Sequence, residues 1–272
     1  MTTTRSMPVG TGSPGRASIA ARTLRKDNWW RAPLVTFILL AAWVIYATVR
    51  VFFQSAYFAP SEHYLSPFYS PCVTSSCQNG SAELGTWFGH FPIIIPYAII
   101  TLPFLLGFRL SCYYYRKAYY RAFWLSPPAC AVAEPHGSYS GETRFPLIVQ
   151  NAHRYFWMVA ALISILNTWD LIQAFRPEGH AFGFGLGTFV MLVNVAMLWL
   201  YTLGCHSCRH ITAGRLNHFS KHPVRYRAWT WVSWMNARHM QFAWASLATL
   251  ALTDGYIALV AAKIIVDPHV SF

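Results

Sequence analysis

Acidic side chains are scarce in this chain: nine Asp and Glu in 272 residues, with charged residues of both signs only 11% of the whole. A soluble domain carries about 25% charged residues, so this surface is not built to meet water on every side. No glycine-rich nucleotide loop and no hydrolytic triad can be read in it. Basic–aromatic nucleic-acid motifs are missing too, which leaves the formal charge of +12 to be explained otherwise. The first 31 residues hold no apolar core and no A-x-A site. They read as a basic, disordered or peripheral tail rather than a cleaved signal peptide.

What the chain has in abundance is apolar length: 55% of it is hydrophobic and 17% aromatic. Crossing a core of roughly 30 Å takes about 20 helical residues. Five stretches qualify, near 33–53, 91–112, 155–175, 182–204 and 240–262. Trp29 and Trp30 stand where an interfacial aromatic belt begins. The expected fold is an all-α integral membrane protein, an up-and-down bundle of five transmembrane helices filling 32–272 behind the tail.

The basic residues orient it. Six Lys and Arg lie in the tail, six between Arg109 and Arg154, and six between Arg209 and Arg238. The opposite face has only Arg50, Arg176 and Lys263. By the positive-inside rule the basic face is cytoplasmic, with the N-terminus inside and the C-terminus outside. The charge thus reports topology in a bilayer, with no nucleic acid as partner.

The six cysteines divide by side. Cys72 and Cys77, in the outer loop sequence PCVTSSCQNG, are expected to form a structural disulfide, with a thiol-exchange site as the alternative. Cys112, Cys130, Cys205 and Cys208 fall on the reducing side, where metal ligation or inert burial are the options. The second span ends in RLSCYYYRKAYYRAFW followed by LSPPAC, and the third opens with QNAHRYFW. The fourth ends in LGCHSCRH and the fifth opens with NARHMQFAW. In an up-and-down bundle these ends meet at one membrane face, and polar ligands at that depth are costly unless they are used. The shortlist of metal ligands is Cys112, Cys130, Cys205, Cys208, His153, His210 and His239, at most four of them bound to one centre. On a regular helix Cys205 and Cys208 share a face, while His206 and His210 share a neighbouring one, so they do not all converge. Each residue alone reads as readily as a small buried hydrophobe or an interfacial side chain.

These segments resemble the membrane-anchor (cytochrome b-type) subunit of respiratory complex II, succinate dehydrogenase or fumarate reductase, in its actinobacterial single-anchor class. The likeness rests on SCYYYRKAYYRAFWLSPPAC, QNAHRYFW, GCHSCRHITAGRL and NARHMQFAW together with the five spans. The tail and the loop 54–89 add nothing to it. The resemblance implies a multi-pass protein of the bacterial plasma membrane that docks a flavoprotein subunit and an iron–sulfur subunit on its cytoplasmic face. Electrons from succinate would reach a quinone, menaquinone in this reading, through a Rieske-type 2Fe–2S centre, with one haem b as the alternative cofactor. Any dicarboxylate chemistry would belong to a partner, since no succinate-binding motif is present. Trp124, Tyr119, Tyr120 and Arg154 are candidates for lining the quinone site, or equally an aromatic belt with basic anchors. Asp170 and Asp254, near outer span ends, would pair with Arg50 or accept helix-end hydrogen bonds.

Two rival classes are weighed. A transporter would show broken spans in matched halves and a mid-membrane charge, but only the second span carries Pro92, Pro96 and Pro103. A quinone-coupled thiol oxidoreductase would place Cys205-x-x-Cys208 on the oxidising side, and the charge pattern puts that pair inside.

Overall fold

Hydropathy and helix length agree on four spans in the computed structural model: Arg31–Phe53, Asn151–Ala174, Leu186–Leu203 and His239–Ala261. A fifth is counted when the helices Ala98–Ser111 and Tyr113–Phe123, separated by a break, are taken as one crossing. The structure describes residues 27–70, 89–90, 92, 95–132, 134–136, 144–214 and 216–272. The expected Cys72–Cys77 disulfide and most of the N-terminal tail lie outside the described residues.

The helices are α1 (Arg31–Phe53), α2 (Leu102–Ser111), α3 (Tyr113–Phe123), α4 (Arg144–Ala174), α5 (Leu186–Leu203), α6 (His206–Ala213), α7 (Pro223–Ala237) and α8 (His239–Ala261). Two short antiparallel ribbons join them: β1 (Phe58–Ala59) with β2 (Tyr64–Leu65), and β3 (Gly183–Gly185) with β4 (His269–Ser271). Among the described residues of the second apolar stretch, regular α-helix begins at Leu102. Proline has no N–H to give a helix interior, and Pro96 stands before a 3-10 turn at Tyr97–Ile100 while Pro103 sits in the first turn of α2. The fourth span likewise starts at Leu186 rather than 182, because Gly183–Gly185 pairs in register with His269–Ser271.

By its contacts the chain forms two compact units: Met1–Ala42 with Tyr113–Asn151, and Trp43–Cys112 with Ala152–Phe272. In the described part of the first, Phe37 of α1 packs on Phe123 of α3, ring centroids 4.8 Å apart. The second unit holds the larger core. The Trp43 indole N–H donates to the Leu247 carbonyl at 3.1 Å, tying α1 to α8. Met191 and Val195 of α5 meet Leu171 of α4 and Ile257 of α8. Gly187 lets α5 lie against the Tyr64 ring, where an added Cβ would come within 2.2 Å of Cε2. The outward sides of the spans, Ile38, Leu39 and Ile45 among them, remain apolar and exposed, as a lipid-facing helix requires.

At the outer end of this unit, buried aspartates fasten elements together. Asp254 of α8, fully buried, accepts from Arg50 Nε at 2.6 Å, from the Tyr46 hydroxyl at 2.5 Å and from Ser66 at 2.5 Å. Asp267 accepts from the hydroxyls of Tyr64 at 2.9 Å and Tyr256 at 2.5 Å, and from the Gly187 amide at 2.8 Å. Asp170 accepts from Ser70. A carboxylate at this depth persists only when paired or hydrogen-bonded, and each of these joins a span to a loop or to another span.

Candidate metal centre

The opposite end of the same unit is built around two interruptions in helices. α2 stops at Ser111, and Cys112 takes an extended backbone, φ −67° and ψ 131°, before α3 begins. α5 stops at Leu203; after Gly204, Cys205 is extended too, φ −70° and ψ 146°, and α6 starts at His206. A glycine costs a helix about 1 kcal/mol, so the chain gives way most easily there. Carbonyls released by the second break are met from neighbouring helices. The Trp157 indole N–H donates to Thr202 O at 2.8 Å, and the Asn236 amide donates to Gly204 O at 2.7 Å. Both interrupted positions are cysteines, and both thiols are buried, 2% and 1% exposed.

Each thiol faces a histidine. Cys205 Sγ lies 3.0 Å from His153 Nε2, and Cys112 Sγ lies 3.8 Å from His239 Nε2. The tautomer of His153 follows from its other contact. The Ser111 hydroxyl spends its single proton on the Gly107 carbonyl at 2.6 Å, so at 2.8 Å it accepts from His153 Nδ1–H. The lone pair is therefore on Nε2, on the side of Cys205. Both imidazoles lie flat on aromatic rings: His153 on Phe108 at 5.0 Å and 12°, His239 on Tyr201 at 4.9 Å and 11°. Phe108 and Tyr201 touch each other at 5.1 Å, which joins the two histidines through one row of rings. Phe108 and Ser111 sit three residues apart on one face of α2 and together hold the His153 ring.

Burial pushes the Cys205 thiol up to about 12, with the neighbouring Cys112 and Cys208 adding to the rise. Burial also raises Cys208. These thiols stay protonated at neutral pH unless a cation is present to hold the thiolate, which is what a bound metal does. His206 is shifted the other way, downward, by burial and then by Arg209.

Of the seven expected ligands, four form two neighbouring pairs, Cys205 with His153 and Cys112 with His239. Cys208 is buried one turn further along α6, and His210 is exposed on that helix beside Gly214. Cys130 is exposed and belongs to the first unit. Among the described residues no three His, Cys, Asp or Glu side chains are grouped to hold a single ion. Tyr119, Tyr120 and Trp124 form a ring cluster within the first unit, with centroids 5.0–6.0 Å apart, while Arg154 is an exposed residue of the second. Sequence reasoning overlooked Phe108, Ser111, Tyr201 and Gly204. The signal for Ser111 was its place next to Cys112 in RLSCY, three residues after Phe108.

The family model of the actinobacterial succinate dehydrogenase subunit SdhC matches residues 31–263. Among solved structures, the chain is similar to one in the Mycobacterium smegmatis Sdh1 complex in the apo form. The two share 61% sequence identity with a TM-score of 0.86, over 92% of this chain and 94% of that one. Among curated proteins, none matches.

Proposed function

The chain belongs to the actinobacterial succinate dehydrogenase subunit SdhC family, as a multi-pass membrane anchor of that enzyme, and from this premise we propose that it carries electrons to a quinone through a Rieske-type 2Fe–2S centre held by Cys112, Cys205, His153 and His239. The observation that carries the reading is the presence of two buried thiols, each against an imidazole from another helix, at one end of the bundle. Two thiolates and two imidazoles are the donor set of such a centre. Because its ligands are shared between two irons, it does not call for three donors around one ion.

When bound, the group supplies one-electron transfer at a potential raised by its histidine ligands. The chain does the rest. Ser111 fixes His153 in the tautomer with its lone pair on Nε2, and Phe108 and Tyr201 hold both imidazole planes. Cys112 and Cys205 would be held as thiolates with the group bound. A single haem b between the two histidines is less well served, since each Nε2 faces a thiol instead of a shared gap. In this reading an iron–sulfur subunit is the electron donor and a flavoprotein subunit oxidises succinate, both docked on the basic, cytoplasmic face.

The test is EPR of the purified, dithionite-reduced complex, with Cys205→Ser and His239→Ala variants beside it. A rhombic Rieske-like signal that both variants lose, while the soluble subunits' signals persist, is the expected result. A bis-histidine haem α-band, or no signal beyond those of the soluble subunits, overturns it.

A further inference from the structure

One strong charge stands beside this cluster without being a ligand. Arg109 lies three residues before Cys112 on α2, half-buried. Its two terminal nitrogens reach to 3.4 Å from the Ser246 hydroxyl of α8, and Cζ lies 5.0 Å from the centre of the Tyr201 ring. That ring is the one on which His239 is stacked. The described carboxylates of this unit are Glu62, Asp170, Glu178, Asp254 and Asp267, and all lie toward the outer end. Asp254 is 15 residues along α8 from His239, roughly 22 Å by helical rise.

We propose that Arg109 is the fixed positive charge that sets the reduction potential of the centre, holding it high enough to draw electrons from the iron–sulfur subunit. The inference rests on the function proposed above. Taking up one electron makes the centre one unit more negative, with no atom gained or lost in the protein. A cation held nearby in a medium of low dielectric constant stabilises that reduced form more than the oxidised one. Water screens such an effect at an exposed site, and Arg109 is half-buried with Tyr201 and Ser246 against its guanidinium.

The experiment is a mediated redox titration of the intact complex, followed by the EPR signal of the centre. Arg109→Gln is expected to shift the oxidised–reduced equilibrium about tenfold toward the oxidised form, a fall of about 59 mV for one electron. Arg109→Lys keeps the charge and is expected to titrate near the wild type. An Arg109→Gln potential equal to the wild type overturns the proposal. So does a fall in Arg109→Lys as large as in Arg109→Gln, because the geometry of the guanidinium would then matter instead of its charge. If Arg109→Gln assembles no centre, Ser246→Asp decides, since it sets a carboxylate against the guanidinium. A lowered potential then supports the proposal and an unchanged one overturns it. A wild-type complex without the signal takes down the proposed function and this inference together, whereas an unmoved signal takes down only the inference.

Discussion

Gly204 is the residue on which the second helix break turns. A Cβ there would sit 2.8 Å from the Leu200 carbonyl, 3.2 Å from that of Met235 and 3.3 Å from His239 Nδ1. Two of these neighbours are backbone and cannot swing aside. Gly204→Ala is therefore expected to cost about 1–3 kcal/mol, as overpacking does, and to displace the His239 ring. Iron per flavin in the purified complex should fall together with Tm, and an unchanged iron content would refute the expectation. The same residue explains what could be read in the sequence at this scale and what could not. All four paired donors stood on a shortlist of seven, because cysteine and histidine at the ends of apolar spans are rare enough to notice. Choosing among them needed the break. On an unbroken helix Cys205 shares a face with Cys208, but an extended Cys205 is set apart from the helix that carries Cys208 and His210. Spacing arguments assume a regular helix, and the two paired thiols are where regularity ends.

Spans were legible at the level of elements, since hydropathy depends only on which residues are apolar. Their ends were less so. α4 begins at Arg144, well before the expected 155, because the polar residues Asn151, His153 and Arg154 lower hydropathy without stopping the helix. α7 was not foreseen at all: its Arg, Tyr and Trp residues give neither an apolar run nor an amphipathic stripe, and Val232 is its one buried residue. The pairing of α1 with α8 through Arg50 and Asp254 was legible as a choice of partners, and the structure supplies the bond. Because Arg50 is 13% and Asp254 0% exposed at the side chain, removing one charge strands the other. Asp254→Asn should lower stability by about 3–5 kcal/mol. Replacing both together, as Arg50→Met with Asp254→Leu, should cost clearly less than the sum of the single changes. Thermal melts in mild detergent measure both, and additivity would show that the ion pair does not couple the two helices.

For the molecule as a whole, the strongest signal in the sequence was the division of charge between two faces. It predicts that alkaline phosphatase fused after Phe272 is active, while the same enzyme fused in the basic segment between α6 and α7 is inactive. The reverse pattern would invert the topology and place the four donors on the oxidising side. In the larger unit, three aspartates pin loops and spans at the outer end, whereas the end with the thiols and imidazoles has none of that unit's described carboxylates. Fluctuations open a structure where it is least tied down. A bundle stitched along one rim is therefore expected to open first at the other. If the thiols and imidazoles at that rim hold the proposed centre, iron and sulfide would enter there.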